Sequence, residues 1–194
     1  MEDLRQKIEA YIPWNEQEEK DKSVLLKLLE TDGEKALFRE NVICHLTASA
    51  WVINPERTKI LMAYHNIYHA WSWLGGHADG VADLLSVALR EVAEESGIRK
   101  VKALSENIFS IEVLTVDGHE KRGKYVPSHL HVNVTYLLEA DDKAALQVKA
   151  DENSAVAWFP IDEAAEKSVE VWMRERIYEK LNGKLKEWMK NESI

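Results

Sequence analysis

The stretch that decides the fold reads GGHADGVADLLSVALREVAEESGI and occupies residues 75–98. Its first six residues include three glycines, which permit positive φ and let the backbone approach a ligand closely. In the remainder, Asp83 is placed to cap the first turn of a helix, and Gly97 is placed to close its last turn. The stretch therefore predicts a glycine-rich loop followed by a helix.

The predicted helix has an apolar face and an acidic face. Spacings of i, i+3, i+4 and i+7 define the apolar face, which consists of Leu85, Ala88, Leu89 and Val92. Roughly a third of a turn away lie Glu91, Glu94 and Glu95, the first and last of them stacked at i and i+4. Like charges stacked in this way repel each other, so a cation would stabilise the acidic face.

Clustered carboxylates are the oxygen ligands that a hard cation such as Mg²⁺ prefers, and Mg²⁺ commonly binds protein carboxylates together with substrate phosphates. The glycine loop offers a backbone carbonyl as a further ligand. A solvated acidic helix face is the alternative for the glutamates alone. The loop that precedes them favours a metal site.

At these residues the chain resembles the signature of the Nudix hydrolases, G-x5-E-x7-R-E-U-x-E-E-x-G-U with U aliphatic, counted from Gly76. The positions that match it after Gly76 are Arg90, Glu91, Val92, Glu94, Glu95, Gly97 and Ile98. One position departs from it, since Ala82 stands where the family has its first glutamate. The resemblance is sharp in this stretch and looser over residues 42–162.

The resemblance implies an α/β class and the Nudix fold, a mixed β-sheet sandwiched between α-helices. Residues 1–40 are then an N-terminal helical extension packed on the domain, and residues 41–194 are the Nudix hydrolase domain. The metal ligands that it implies are Glu91, Glu94 and Glu95, with the carbonyl of Gly75 or Gly76. The cofactor is Mg²⁺ or Mn²⁺.

The resemblance also implies hydrolysis of a diphosphate bond, in which a base activates water for attack on phosphorus. Arg90 would brace Glu91. The base varies in this superfamily between a glutamate of the signature, here Glu91 or Glu94, and a carboxylate on a later loop, for which Glu152 is the positional candidate. An ordinary loop acid is the alternative for Glu152. We expect Asp79 to partner Arg90 in place of the missing glutamate.

Two other functions stay open. The isopentenyl diphosphate isomerases share the fold and have a cysteine, a glycine and a histidine where this chain has Gly75, Gly76 and His77; the nucleophilic cysteine is therefore absent here. A Nudix domain that senses a nucleotide without cleaving it is the second alternative, and Ala82 makes it less remote. The complete glutamate set favours the enzyme.

Composition limits the partners. The net charge of −9 argues against a nucleic acid partner, whose phosphates are bound by clustered Lys and Arg. Cys44 is the only cysteine, so an internal disulfide is excluded and a reducing compartment is expected. The chain shows neither an apolar run of about 20 residues nor a signal-peptide pattern at its start. These features predict a cytoplasmic protein without a membrane partner.

The expected substrate is a small phosphorylated compound, a nucleotide derivative. Candidate substrate-binding residues are a basic cluster on a polar loop (residues 117–124), histidines on the polar face of a later strand, and an aromatic wall before the glycines: Lys121, Arg122, Lys124, His129, His131 and Trp73. We expect the polar row of that strand to face solvent or substrate. The sequence leaves open whether residues 1–40 pack on the domain, form a homodimer contact or shape the pocket.

The remaining pattern predicts helices and strands that alternate along the chain. Helices are predicted at residues 4–11, 16–30 and from 168 onward, the last interrupted at Gly183. Strands are predicted at residues 42–53, 59–64, 108–116, 129–138 and 155–159. The face of the last helix that should cover the sheet consists of Val169, Trp172, Met173, Ile177 and Leu181. Cys44 and His45, in the first strand, are expected to be packed.

Overall fold

The computed structural model describes residues 1–121, 123–149 and 153–192, apart from the side chain of Lys121. Its α-helices are α1 (Glu2–Ala10), α2 (Glu16–Asp32), α3 (Leu84–Ser96), α4 (Ile161–Ala164) and α5 (Glu179–Asn191). Its strands are β1 (Cys44–Ile53), β2 (Lys59–His65), β3 (Ala70–Ser72), β4 (Leu74–His77), β5 (Val101–Ala103), β6 (Ser110–Val116), β7 (His119–Lys121), β8 (Lys124–Val126), β9 (His129–Ala140) and β10 (Asn153–Pro160).

The chain forms two compact units. The first unit comprises Met1–Ala50, Gly75–Glu91 and Ser105–Leu137, and the second comprises Trp51–Leu74, Val92–Leu104 and Leu138–Ile194. No helix of the described residues combines the length and apolar character that a membrane crossing requires.

In the first unit, β1 pairs with β4 and β9, and β6 runs antiparallel to β9. The predicted polar loop at residues 117–124 contains a small hairpin in which β7 pairs with β8. At the N-terminus, α2 begins at a cap in which the Asn15 side chain accepts a hydrogen bond from the Glu18 amide, and it ends at Gly33, where φ is 56°. The apolar side of α2 buries Leu25, Leu28 and Leu29.

Glu18 connects the N-terminal helices to strand β6. Its carboxylate is fully buried, and it accepts hydrogen bonds from the hydroxyl of Tyr11, from the Trp14 amide at 2.8 Å and from the Ser110 hydroxyl at 2.7 Å. A buried carboxylate is tolerated when such donors replace its water. Within this unit, Glu18 of α2 therefore contacts β6 through Ser110.

We expect Tyr11→Phe to lower the free energy of unfolding by about 1.5 kcal/mol, because the Glu18 carboxylate loses one of its donors and keeps others. For a chain of this size, that corresponds to a fall of roughly 3–6 °C in the melting temperature. Thermal unfolding followed by circular dichroism measures it. Tyr125→Phe, at an exposed tyrosine, is the matched control. Equal melting temperatures for both variants would contradict this role of Glu18.

The polar row of β9 is buried at its centre, so the expectation that the row as a whole faces solvent or substrate is wrong. Asn133 and Thr135 are nearly inaccessible, and both donate to the Glu112 carboxylate at 2.9 Å. The Asn133 carbonyl in turn accepts hydrogen bonds from Thr47 at 2.9 Å and Ser49 at 2.8 Å. Polar side chains from β1, β6 and β9 thus satisfy one another's hydrogen-bonding groups. The alternation of residues within one strand cannot predict such partners on other strands.

In the second unit, β2 pairs antiparallel with β3 and with β10, and β5 pairs antiparallel with the end of β9. Three aromatic residues of this unit, Trp51, Trp73 and Tyr178, form a cluster. The Tyr178 ring stacks on Trp51 at a centroid distance of 5.5 Å, and Trp73 meets the same ring edge-on at 5.7 Å. Trp73, expected as an aromatic wall of the substrate site, thus contacts Tyr178.

The C-terminal region differs from the predicted amphipathic helix. Ile177 and Leu181 are buried, but Val169 and Trp172 are 70% and 57% exposed. A π-helical segment, Met173–Tyr178, changes the number of residues per turn and so rotates Trp172 off the buried face, whereas Val169 lies before the helical region begins. In addition, α5 continues through Gly183, where an interruption was expected.

The buried face of α3 is also displaced from the predicted one. Leu84, Val87, Ala88 and Val92 are buried, whereas Leu85 and Leu89 are intermediate. This rotation brings Glu91 and Glu95 to the buried side of the helix, at 8% and 4% exposure. Two carboxylates on the buried side of a helix need donors or a cation.

Candidate active site

The glycines of β4 lie where side chains have no room. A Cβ atom added to Gly76 would lie 2.5 Å from Cδ of Glu91, and one added to Gly75 would lie 2.5 Å from Oγ of Ser49 and 2.6 Å from the Ala48 carbonyl oxygen. The carboxylate of Glu91 therefore packs directly on the backbone of the glycine loop. This close approach, not a positive φ, is what requires glycine at position 76.

Arg90 links the helix to this loop. Its Nη2 atom donates to Oε1 of Glu91 at 2.8 Å, and it lies 3.4 Å from the carbonyl oxygen of His77. The guanidinium is part-exposed, whereas the Glu91 side chain is largely covered. The predicted contact between Arg90 and Glu91 is present, and it holds the carboxylate against Gly76.

The other two glutamates of α3 have different surroundings. Oε1 of Glu95 accepts a hydrogen bond from Nδ2 of Asn153 at 2.9 Å. Glu94 is part-exposed, and its Oε2 lies 3.2 Å from Nζ of Lys149. Neither Asn153 nor Lys149 was predicted from the sequence. Both lie close in sequence to Glu152, in the later loop that was expected to carry a carboxylate. That expected loop was the only feature of the sequence that pointed to them.

These residues fit a hard divalent cation. Glu91, Glu94 and Glu95 lie on one helix at spacings of three and four residues and could supply carboxylate oxygens, and the glycine loop could add a backbone carbonyl. The ion pair between Glu94 and Lys149 is part-exposed, so a competing cation would displace it at little cost.

Asp79 binds a different arginine from the one expected. Its carboxylate forms a two-point ion pair with Arg39, with Nε donating to Oδ1 at 2.8 Å. This pair lowers the pKa of Asp79, with a smaller contribution from the positive charge of Arg90. Asp83, in contrast, occupies the predicted capping position, with its Oδ1 3.4 Å from the Ser86 amide.

The remaining predicted site residues are Glu152 and the candidates for substrate binding. Glu152 and Arg122 lie outside the described residues, as does the side chain of Lys121. Lys124 is exposed on β8. His129 and His131 lie next to each other, with their Nε2 atoms 3.1 Å apart.

The two histidines of β9 have neighbours that the sequence did not group with them. The ring of His45 lies 4.8 Å from that of His131 and 5.1 Å from that of His77, measured between centroids. His45 was expected to be merely packed in its strand, and it is buried as expected. Only the folded chain brings residues 45, 77 and 131 together.

The arrangement defines an α/β protein in which a glycine-bearing strand leads into a helix of clustered glutamates. The family model of the NUDIX domain matches residues 44–181, and the chain therefore belongs to this family. The predicted family, fold class and enzyme class, a Nudix-type pyrophosphohydrolase, are confirmed. Among the curated proteins, none matches this sequence.

Solved structures of low sequence identity share the fold. The C. elegans Ap4A hydrolase is 18% identical, with a TM-score of 0.51, and the match covers 75% of this chain and 98% of that one. The E. coli dihydroneopterin triphosphate pyrophosphohydrolase is 14% identical, with a TM-score of 0.52 and coverages of 70% and 92%. The NUDIX domain of Shewanella oneidensis NrtR, complexed with ADP ribose, is 18% identical, with a TM-score of 0.50 and coverages of 74% and 87%.

Proposed function

We propose that this protein hydrolyses the diphosphate bond of a small nucleotide derivative, with Mg²⁺ or Mn²⁺ held by Glu91, Glu94 and Glu95 and by a carbonyl of Gly75 or Gly76. The observation that carries the proposal is the packing of Glu91 on the backbone at Gly76, where no Cβ fits. A carboxylate positioned against a carbonyl-bearing loop is an arrangement that a cation stabilises.

The divalent cation, when bound, neutralises phosphate charge and so lowers the barrier to attack on phosphorus. Neighbouring side chains orient the glutamates that would bind this cation. Arg90 keeps the Glu91 carboxylate in one orientation through the 2.8 Å contact. Asn153 does the same for Glu95 through its 2.9 Å hydrogen bond.

Hydrolysis needs a group that takes a proton from the attacking water. Glu91 and Glu94 are candidates within α3, and Glu152 remains the candidate outside it. A part-exposed carboxylate such as Glu94 is accessible to water, and its partner Lys149 is a cation that would turn to substrate phosphate once Glu94 is engaged. This assignment of the base stays a prediction.

Basic and aromatic side chains would bind the substrate. Lys124 supplies positive charge on β8, and Lys121, Arg122 and Trp73 remain the other basic and aromatic candidates. Related folds bind compounds of this kind: the NrtR domain was solved with ADP ribose. We also propose a cytoplasmic location, since the single Cys44 is a free thiol.

The test is a screen of nucleoside triphosphates, nucleotide sugars, dinucleotides, coenzymes and isopentenyl diphosphate with Mg²⁺ and with Mn²⁺, with products identified by mass spectrometry. We expect metal-dependent cleavage between two phosphorus atoms. Water labelled with ¹⁸O should place its oxygen on a phosphate product. Tight binding of one compound without any cleavage would favour the sensor, and conversion of isopentenyl diphosphate without hydrolysis would favour the isomerase.

The sensor alternative is supported by Ala82, and a pair of variants tests it. We expect Asp79→Asn to lower kcat/KM, because the loop before α3 loses its ion pair with Arg39. We expect Ala82→Glu to change kcat/KM only modestly, because Arg90 already contacts Glu91. The measurement is Mg²⁺-dependent hydrolysis of the compound found in the screen. A hundredfold gain in Ala82→Glu, with Asp79→Asn silent, would identify the natural chain as a weakened enzyme or a sensor.

A further inference from the structure

Three histidines from three separate strands converge in the first unit. His45 lies on β1, His77 at the end of β4 and His131 on β9, and one ring nitrogen from each lies within 4.8 Å of the others. None of these side chains belongs to the glutamate site on α3. The cluster is therefore a separate concentration of metal-ligating atoms.

His45 is oriented as a ligand. It is 3% exposed, and its Nδ1 lies 3.0 Å from the carbonyl oxygen of Asn41, so Nδ1 carries the hydrogen and donates it. Its Nε2 atom then carries a lone pair. This atom is buried and has no hydrogen-bond partner among the described residues. In metal sites, a carbonyl that accepts from one nitrogen of a histidine fixes the other nitrogen as the ligand.

A buried nitrogen that has lost its water needs a new partner for its lone pair. Nε2 of His45 is such an atom, and a metal ion bound by the cluster would supply that partner.

We propose that His45, His77 and His131 form a second metal site, selective for zinc and similar transition ions. Imidazole nitrogens suit Zn²⁺, Co²⁺ and Ni²⁺, whereas Mg²⁺ takes oxygen ligands. Zinc–nitrogen bonds are about 2.0–2.1 Å long, so nitrogens no more than 4.8 Å apart reach a common ion with inward shifts below about 1 Å each.

Three protein ligands leave one position of a tetrahedral zinc ion open. His129 is the nearest additional imidazole, since its ring stacks on His45 at a centroid distance of 4.9 Å and its Nε2 contacts that of His131 at 3.1 Å. Its Nδ1 lies 2.8 Å from the Pro127 carbonyl, which leaves Nε2 as its acceptor or ligand atom. The fourth position is thus filled by His129 or by water.

The site has a mechanical consequence for the glycine loop. His77 directly follows Gly76, and its carbonyl oxygen lies 3.4 Å from Arg90. An ion shared with β1 and β9 would fix the end of β4. Zinc should therefore raise the melting temperature whether or not the protein has hydrolase activity.

The experiment uses the full chain, stripped with a chelator, dialysed and reloaded with Zn²⁺ alone or Co²⁺ alone. Zinc stoichiometry and affinity are measured by elemental analysis and calorimetry, and Co²⁺ coordination by its visible absorption. The variants are His45→Gln and His131→Gln. The matched control is His119→Gln, a histidine of the β7–β8 hairpin outside the cluster, and Glu95→Gln tests independence from the glutamate site.

We expect one zinc per chain, a Co²⁺ spectrum of tetrahedral or five-coordinate type, and a higher melting temperature with zinc. His45→Gln and His131→Gln should each weaken zinc binding at least tenfold, while His119→Gln and Glu95→Gln retain it. If one cluster variant fails to fold, the other decides. Absence of stoichiometric zinc in the parent, unaltered affinity in the cluster variants, or loss in Glu95→Gln would overturn the proposal. If the chain binds zinc stoichiometrically but cleaves none of the compounds in the screen, the proposed function is refuted and the zinc site is not.

Discussion

Glu95→Gln is expected to lower kcat by about a hundredfold or more while leaving the fold intact. Charge stabilisation by a bound metal ion contributes several kcal/mol to such reactions, and each 1.36 kcal/mol is about a tenfold change in rate. The substitution removes the negative charge of the ligand but keeps its shape. The carbonyl oxygen of the new amide can still accept the hydrogen bond that Asn153 donates at 2.9 Å. The fall should therefore come from the metal site alone.

The measurement is kcat at saturating substrate over a titration of Mg²⁺ and Mn²⁺. Glu106→Gln, at an exposed glutamate outside α3, is the charge-matched control and should behave as the parent. Circular dichroism and the melting temperature check that both variants fold. Full activity in Glu95→Gln would remove this residue from the ligand set.

Gly76→Ala is expected to reduce kcat/KM by about a hundredfold. The new Cβ would lie 2.5 Å from Cδ of Glu91 and 2.8 Å from both of its oxygens, so the carboxylate must move. It has little freedom to do so, because it is 8% exposed and bound to Arg90 at 2.8 Å. A displacement of about 1 Å at a catalytic centre costs on the order of a hundredfold in rate.

Gly33→Ala separates this effect from a general loss of glycine. Position 33 has φ of 56° and open space around the added Cβ, so the variant should lose stability, by about 1 kcal/mol, but no activity per folded molecule. Gly76→Ala should show the reverse pattern. If both variants lose only stability, the proximity of Gly76 to Glu91 has no catalytic importance.

Local sequence predicted much of the fold. The patterns that predicted α1, α2 and β9 each depend on neighbours a few residues away, and all three elements were found within a few residues of their predicted bounds. The glycines and glutamates of residues 75–98 were recognisable for the same reason. Their spacing reflects a loop and one helix, which are local structures.

Predictions failed where distant residues decide. The buried face of α3 includes Leu84 and Val87 instead of Leu85 and Leu89, because the choice among adjacent stripes depends on what packs against the helix. Asp79 pairs with Arg39, which is forty positions away, instead of with Arg90. The polar row of β9 is buried because Glu112 and Ser49 come from other strands to meet it.

The sequence by itself therefore determined the family, the glycine loop and the glutamates of α3, because each of these is encoded in one short stretch. Only the tertiary structure decided the surroundings of Glu95, the packing of Glu91 on Gly76 and the convergence of His45, His77 and His131. Those contacts join strands and loops whose separation along the chain is large. Chain topology brings them together, and burial then removes the water that would otherwise satisfy their polar atoms.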